Sequence, residues 1–226
     1  MKKISIIVLF VISGLTQGYS QTISQLFSET KKTSYIVGYS SIQFDNYNYG
    51  NFMKYNNSTA VTLGIDYRFF ERKNHQFTAG ALLNYSTLEY RLNNNFTDTG
   101  AEIFLEVPVK FEYNIALTEK LYVTPSAGLN FSAYLNSEQR YFQNYFYEGG
   151  NYETMIQTKP FTLGGTANVA LNYKTSKGVF GINAGYSTSL NDVYRVNHTN
   201  IDNNSFYSQD LKRKFVTFGL KFTPKK

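Results

Sequence analysis

Seven charged residues recur on one parity of alternating segments, and their types define the chemistry open to this chain. Asp66 and Arg68 lie in one such segment, Glu102, Glu106, Lys110 and Glu112 in a second, and Lys221 in a third. Carboxylates and cations gathered on one face can form a buried ion-pair network, or a path for protons or small ions. Catalysis needs more than this. There is no cysteine, which removes thiol nucleophiles, disulfides and Cys-bound zinc. There are two histidines, His75 and His198, too far apart in sequence for metal-ligand spacing. His198 has Asp192, Asp202 and Ser205 nearby, the residue types of a hydrolase site, whereas His75 opens a strand beside a turn and reads as a rim residue. The expectation is a protein that is not an enzyme and needs no metal or cofactor.

The elements that must position the seven charges are β-strands. From Ile103 to Ile115 every second residue is apolar, and Glu102, Glu106, Lys110, Glu112 and Asn114 fall between. After a short turn the alternation resumes over Leu121–Leu135. Strands so long, two-faced and closely joined suit a membrane β-barrel, where about 9–11 tilted residues cross the hydrocarbon and every peptide group is paired. The same pattern predicts strands at Thr33–Phe44, Ser58–Phe70, His75–Arg91, Pro160–Tyr173, Val179–Leu190 and Arg213–Thr223. The alternation slips near Ser86–Leu88, which predicts a bulge there. The predicted fold is all-β: an eight-stranded antiparallel up-and-down transmembrane β-barrel occupying residues 33–226. A soluble lipocalin-like barrel would instead place apolar residues inside and polar ones outside.

Short turns at 71–74, 116–120 and 174–178 alternate with long polar connections at 45–57, 92–100, 136–159 and 191–212. Outer-membrane barrels keep short turns on the periplasmic side, so both termini are expected there, with Arg68, Lys110, Glu112 and Lys221 at the low end of the lumen. Met1-Lys2-Lys3 followed by uncharged Ile4–Leu15 reads as a signal peptide over 1–20, leaving 21–32 as a periplasmic lead-in. Without Lys2 and Lys3, 20 basic residues remain against 16 acidic, a net charge of +4. No basic helix or dense Lys/Arg run accompanies it, so nucleic acid is not expected as a partner.

The long connections are rich in Tyr and Asn, a mixture that supplies rigid amphipathic contacts and adaptable hydrogen bonds. Tyr141, Phe142, Tyr145, Phe146, Tyr147 and Tyr152 make 136–159 too aromatic to be wholly solvated. That segment is expected to fold over the barrel mouth or to meet a protein or glycan partner. Lys212, Arg213 and Lys214 are expected at the outer rim, paired with lipopolysaccharide phosphates. At the opposite end nine Lys and Arg face Glu29, Glu71 and Glu119.

Leu105-Glu106-Val107-Pro108-Val109-Lys110-Phe111-Glu112-Tyr113 resembles a strand motif of an outer-membrane β-barrel family common in Bacteroidetes, which includes PorT-like proteins. The plan is more distantly similar to eight-stranded barrels of the OmpA and OmpX type. Thr217, Gly219 and Phe222 resemble the C-terminal signal read by barrel-assembly machinery, although Pro224-Lys225-Lys226 replaces the terminal aromatic. These resemblances imply a cell outer membrane protein among lipid and lipopolysaccharide, delivered by that machinery and serving an envelope or secretion complex. The expected role is non-enzymatic, an internally plugged barrel acting through its external loops. A narrow pore for ions or small solutes is the alternative, and a lipid A-modifying enzyme a third reading.

Overall fold

The computed structural model describes residues 28–44, 53–92, 96–136, 140–147 and 150–226; the expected signal peptide and residues 21–27 lie outside them. The strands are β1 (Thr33–Phe44), β2 (Met53–Arg72), β3 (His75–Leu92), β4 (Phe96–Tyr113), β5 (Ile115–Ala116), β6 (Leu121–Tyr134), β7 (Arg140–Tyr147), β8 (Gly150–Thr158), β9 (Phe161–Lys174), β10 (Gly178–Ser189), β11 (Tyr194–Asn200), β12 (Ser205–Leu211) and β13 (Arg213–Pro224). Eight of them, β1, β2, β3, β4, β6, β9, β10 and β13, pair in cyclic order through antiparallel ladders. β5 continues β4 past Asn114 and keeps the same register against β6. Closure comes from β1 against β13, running from Tyr35 opposite Phe222 to Phe44 opposite Arg213. The fold is the expected eight-stranded up-and-down barrel.

Alternation sorts the side chains into two solvents. Large apolar residues stand outward on all eight strands, among them Leu63, Leu83, Ile103, Leu129, Val169, Ile182 (65% exposed) and Phe218 (61%). Buried positions on the inner face carry Ser40, Thr62, Asp66, Asn84, Glu112, Thr124 and Asn172. In water such a surface would cost about 1.5–3 kcal/mol for each large apolar side chain left exposed. In hydrocarbon it is the stable arrangement, so this is a barrel of the transmembrane type.

Two expectations need correction. No phase slip occurs at Ser86–Leu88: Ser86 and Leu88 both point inward, and Leu88 looked out of phase because it is an apolar residue in the lumen. The β2–β3 ladder does shift register twice, between Asn56 and Thr59 on β2, opposite Thr87–Glu89, and again between Arg68 and Phe70. The long connections are also largely strand. β2 and β4 begin at Met53 and Phe96, inside segments expected to be loop. Segments 136–159 and 191–212 form hairpins β7–β8 and β11–β12, which join through β8 and β11 into a four-stranded sheet ordered β12-β11-β8-β7. Beyond the hydrocarbon the apolar alternation is no longer required, but peptide groups still gain by pairing, so strand continues where the sequence signal stops.

Glycines mark where neighbouring strands and inner side chains come closest. A Cβ on Gly128 would sit 2.0 Å from the Val109 carbonyl oxygen and 2.8 Å from Lys110 Cα. At Gly80 it would meet the Asp66 carboxylate at 2.4 Å and the Pro108 ring at 3.0 Å. Pro108 therefore sits opposite the residue that leaves room for it. Gly128→Val should lower stability by about 1–3 kcal/mol or prevent folding. Gly165→Val, whose new Cβ meets nothing within 4 Å, should behave as wild type. Urea unfolding of the two variants in vesicles, followed by tryptophan-free Tyr fluorescence or circular dichroism, checks the contrast.

Candidate functional site: the lumen

The lumen is built from two charge clusters separated by height. In the lower one, β2 supplies Asp66, β4 supplies Lys110 and Glu112, and β13 supplies Lys221. Asp66 Oδ2 accepts hydrogen bonds from Lys110 Nζ at 2.7 Å and Lys221 Nζ at 3.2 Å. Glu112 Oε1 lies 3.7 Å from the first ammonium and 3.5 Å from the second. Gln76 Nε2 donates to Glu112 Oε2 at 2.5 Å, and Thr78 Oγ1 to Oε1 at 3.2 Å. Two carboxylates and two ammoniums cancel, which is the condition for keeping them buried. Beside them Asn172 Nδ2 donates to Thr124 Oγ1, which donates to Asn114 Oδ1, tying β9, β6 and the β4–β5 junction together.

Arg68 stands apart from this quartet, nearer the short-turn end. Its Nε is 2.6 Å from Glu71 Oε2, an ion pair without hydrogen-bond alignment, and its Nη2 donates to the Thr30 and Lys31 carbonyls at 3.4 Å. Thr30 also bridges Lys225, so the segment before β1 is held across the barrel base. A cavity of about 130 Å³ runs along the lumen, bordered by Thr30 and Arg68 at the base, by Asp66, Lys110, Glu112 and Lys221 of the quartet, and by Asn84, Glu106, Asn183 and Phe215 above them.

The upper cluster closes the lumen toward the projecting sheet. Glu102 accepts hydrogen bonds from Tyr194 Oη at 2.5 Å and Thr158 Oγ1 at 3.0 Å. Arg213 is 2% exposed, its guanidinium 4.4 Å from the Phe104 ring centre, 4.3 Å from Phe215 and 5.2 Å from Tyr134. Desolvated cation–π contacts of this kind are worth about 2 kcal/mol each. Leu88, Ile42, Ile156, Val193, Val196 and Leu211 complete the apolar layer. Ile156 and Val196 come from β8 and β11, so the base of the outer sheet is itself part of the seal.

All seven lumen charges expected from strand parity lie on the inner face, in two groups rather than one. Glu106 stands on the cavity wall. The expected rim trio is broken. Lys212 is exposed and Lys214 half-buried, but Arg213 is an interior residue. The reason is parity: Arg213 shares the inward set of Phe215, Thr217, Gly219 and Lys221, a signal present in the sequence. Tyr194 left no comparable signal, because its approach to Glu102 depends on how the hairpins fold back.

Tyr141, Phe142, Tyr145, Phe146 and Tyr147 lie in β7 and Tyr152 in β8, while their side chains lie outside the described residues. His198 is in β11, paired in register with Thr154 and Tyr207, and its side chain likewise lies outside them. Asp192 engages Lys159 at 3.4 Å, and Ser205 pairs with Asn200. On the exposed sheet Arg195 grips Asp210 at 3.0 and 3.2 Å, which holds that carboxyl below the usual carboxylate range. His75 stacks loosely between Phe70 and Phe111 at the barrel base, a rim position. Among the described residues no group of three His, Asp or Glu could hold a metal ion.

An outward apolar band, a paired polar lumen and an aromatic seal define a small, closed transmembrane β-barrel. The chain belongs to the family described as "Protein of unknown function, DUF481", whose model matches residues 19–142. No curated protein matches the chain. Solved structures similar to it include the outer membrane protease OmpT from Escherichia coli, with TM-score 0.41 and 10% identity over 84% of this chain and 96% of that one. The attachment invasion locus protein Ail of Yersinia pestis has TM-score 0.39 and 12% identity, covering 85% and 99%. The N-terminal β-barrel domain of Pseudomonas aeruginosa OprF has 0.34 and 12%, covering 86% and 99%. At these scores none of them says what this chain binds or catalyses.

Asp66 is the acceptor both ammoniums share, so its loss leaves two buried cations against Glu112 alone. Asp66→Ala should destabilise the barrel by about 3–5 kcal/mol. Adding Lys221→Met should recover part of that loss. Urea unfolding in vesicles of the single and double variants measures the coupling.

Proposed function

We propose that the protein is a non-enzymatic component of the outer membrane, a barrel closed to passage that acts through its projecting sheet. The observation carrying this reading is the Arg213 seal. Phe104, Tyr134 and Phe215 pack around that guanidinium within 5.2 Å, and β8 and β11 lie over them. A barrel that conducts has little use for a desolvated aromatic and cationic layer across its bore. Its polar residues below the seal then serve to fill the lumen, where Asp66 and Glu112 are paired with Lys110 and Lys221.

The outer-membrane setting follows from the apolar belt on a closed barrel, the one β architecture that crosses a bilayer. Short turns and both termini share one end, which on the usual plan is periplasmic. The sheet of β7, β8, β11 and β12 then faces outward, where its Tyr- and Asn-rich strands suit a protein or glycan partner. Lys212 and Lys214 sit near the lipopolysaccharide level. Biogenesis would use the barrel-assembly machinery, and the PorT-like motif around Pro108 suggests service in an envelope or secretion complex.

The polar cavity of about 130 Å³ favours one second reading, a narrow pore opened by displacement of the seal. Planar-bilayer recording separates the two. The refolded native protein should show no steps, and the Phe104→Ala, Arg213→Ala, Phe215→Ala triple variant should show them. Reproducible native steps altered by Glu106→Gln and Lys221→Met would establish the pore instead. His198→Ala should leave host lipid A unchanged by mass spectrometry, and a change would bring enzyme chemistry to the fore.

A further inference from the structure

Charge is distributed unequally along the barrel axis. Around the short-turn end stand Lys31, Lys32, Arg72, Lys73, Lys120, Lys174, Lys177, Lys225 and Lys226 against Glu29, Glu71 and Glu119, nine basic residues against three acidic. Among the residues whose side chains are described around the projecting sheet, Lys159, Arg195, Lys212 and Lys214 face Glu153, Asp192, Asp202 and Asp210. Ion pairing sharpens the difference. Lys159 and Arg195 are committed to Asp192 and Asp210. At the other end Glu29 is taken by Lys174 and Glu71 by Arg68. Lys31, Lys32, Arg72, Lys73, Lys120, Lys177 and Lys225 are all exposed and have no ion pair among the described residues, and Lys32 also borders the base of the lumen cavity.

These cations sit at a repeated height. Lys32 lies three residues beyond outward-facing Tyr35, Lys73 three beyond Phe70, Lys120 three beyond Leu117, Lys177 three before Phe180, and Lys225 three beyond Phe222. Tyr35, Phe70, Leu117 and Phe180 are each between 41% and 55% exposed. Three residues of tilted strand advance about 8 Å along the barrel axis. The polar layer of a bilayer is about 5–8 Å deep on each side. An apolar ring at the edge of the hydrocarbon therefore places the cations among lipid phosphates, spaced around the circumference by the turns of β2–β3, β5–β6 and β9–β10 and by both chain ends.

We infer that the basic ring at the short-turn end binds the phosphate head groups of anionic phospholipids in the leaflet facing it, selecting them into the lipid shell of the barrel. The inference rests on the membrane reading given above and goes beyond it by assigning a ligand class and its residues. Thr30–Lys225 pairing and the Lys226 ammonium on the Ser28 carbonyl hold the two chain ends in the ring, so folding of the base and assembly of the site are one event.

The test uses the mature protein refolded into phosphatidylcholine bilayers containing spin-labelled phosphatidylglycerol or spin-labelled phosphatidylcholine. The motionally restricted fraction of label should favour phosphatidylglycerol by about fivefold, the factor expected for one well-placed cation. The preference should collapse in about 0.5 M salt, where screening is strong. It should also vanish when Lys31, Lys32, Lys73, Lys120, Lys177 and Lys225 are all replaced by Gln, and persist in Lys159→Gln with Lys212→Gln. Equal association of the two lipids by the native protein, or a preference indifferent to salt, overturns the inference while leaving the membrane barrel intact. Failure of the native protein to insert overturns the membrane reading itself. If the sixfold variant does not fold, the salt dependence of the native protein decides alone.

Discussion

An unpaired peptide group in hydrocarbon costs several kcal/mol, and every other feature of this protein follows from avoiding that cost. A β-sheet in a bilayer can have no edge. Here the edge is removed by the ladder between β1 and β13, ten residues long on each side, which joins the first and last strands. Closure with eight strands then settles the interior. The bore is just wide enough for side chains, so what points inward must fit and must be paired.

The lumen shows how that demand is met. Asp66 and Glu112 share two ammoniums that reach them from opposite walls, β4 and β13. Asn residues lie against Gly on neighbouring strands, as with Asn172 and Gly181 or Asn168 and Gly185, so polar side chains occupy space that a Cβ would have taken. Higher up the solution changes character. Arg213 is held by aromatic faces, and Glu102 accepts from the hydroxyls of Tyr194 and Thr158. The upper seal is therefore shared between the barrel wall and the outer sheet, and movement of one must be felt by the other.

Outside the hydrocarbon the same chain follows different rules. Toward the short turns, chain ends and hairpins converge in a basic collar in which Glu71 and Glu29 are already paired with Arg68 and Lys174. Toward the other end two hairpins associate into a sheet whose described cations Lys159 and Arg195 are paired with Asp192 and Asp210. The barrel presents a basic base and a Tyr- and Asn-rich top, and this polarity is as much a part of its design as the apolar belt between them.

The sequence by itself determined the architecture. A period of two over Thr33–Phe44, Leu121–Leu135 and Arg213–Thr223 can be satisfied only by strands with one apolar face, and parity alone assigned all seven lumen charges to the inside. It also held the information that Arg213 points inward, although its neighbours Lys212 and Lys214 suggested a basic rim. Tertiary structure decided the rest. Whether Lys110 meets Asp66, or Tyr194 meets Glu102, depends on register between strands 44 and 92 residues apart, which no local pattern encodes. The outer sheet was hidden for a related reason: away from lipid its strands need no alternation, so their pairing appears only when the barrel brings β8 and β11 side by side.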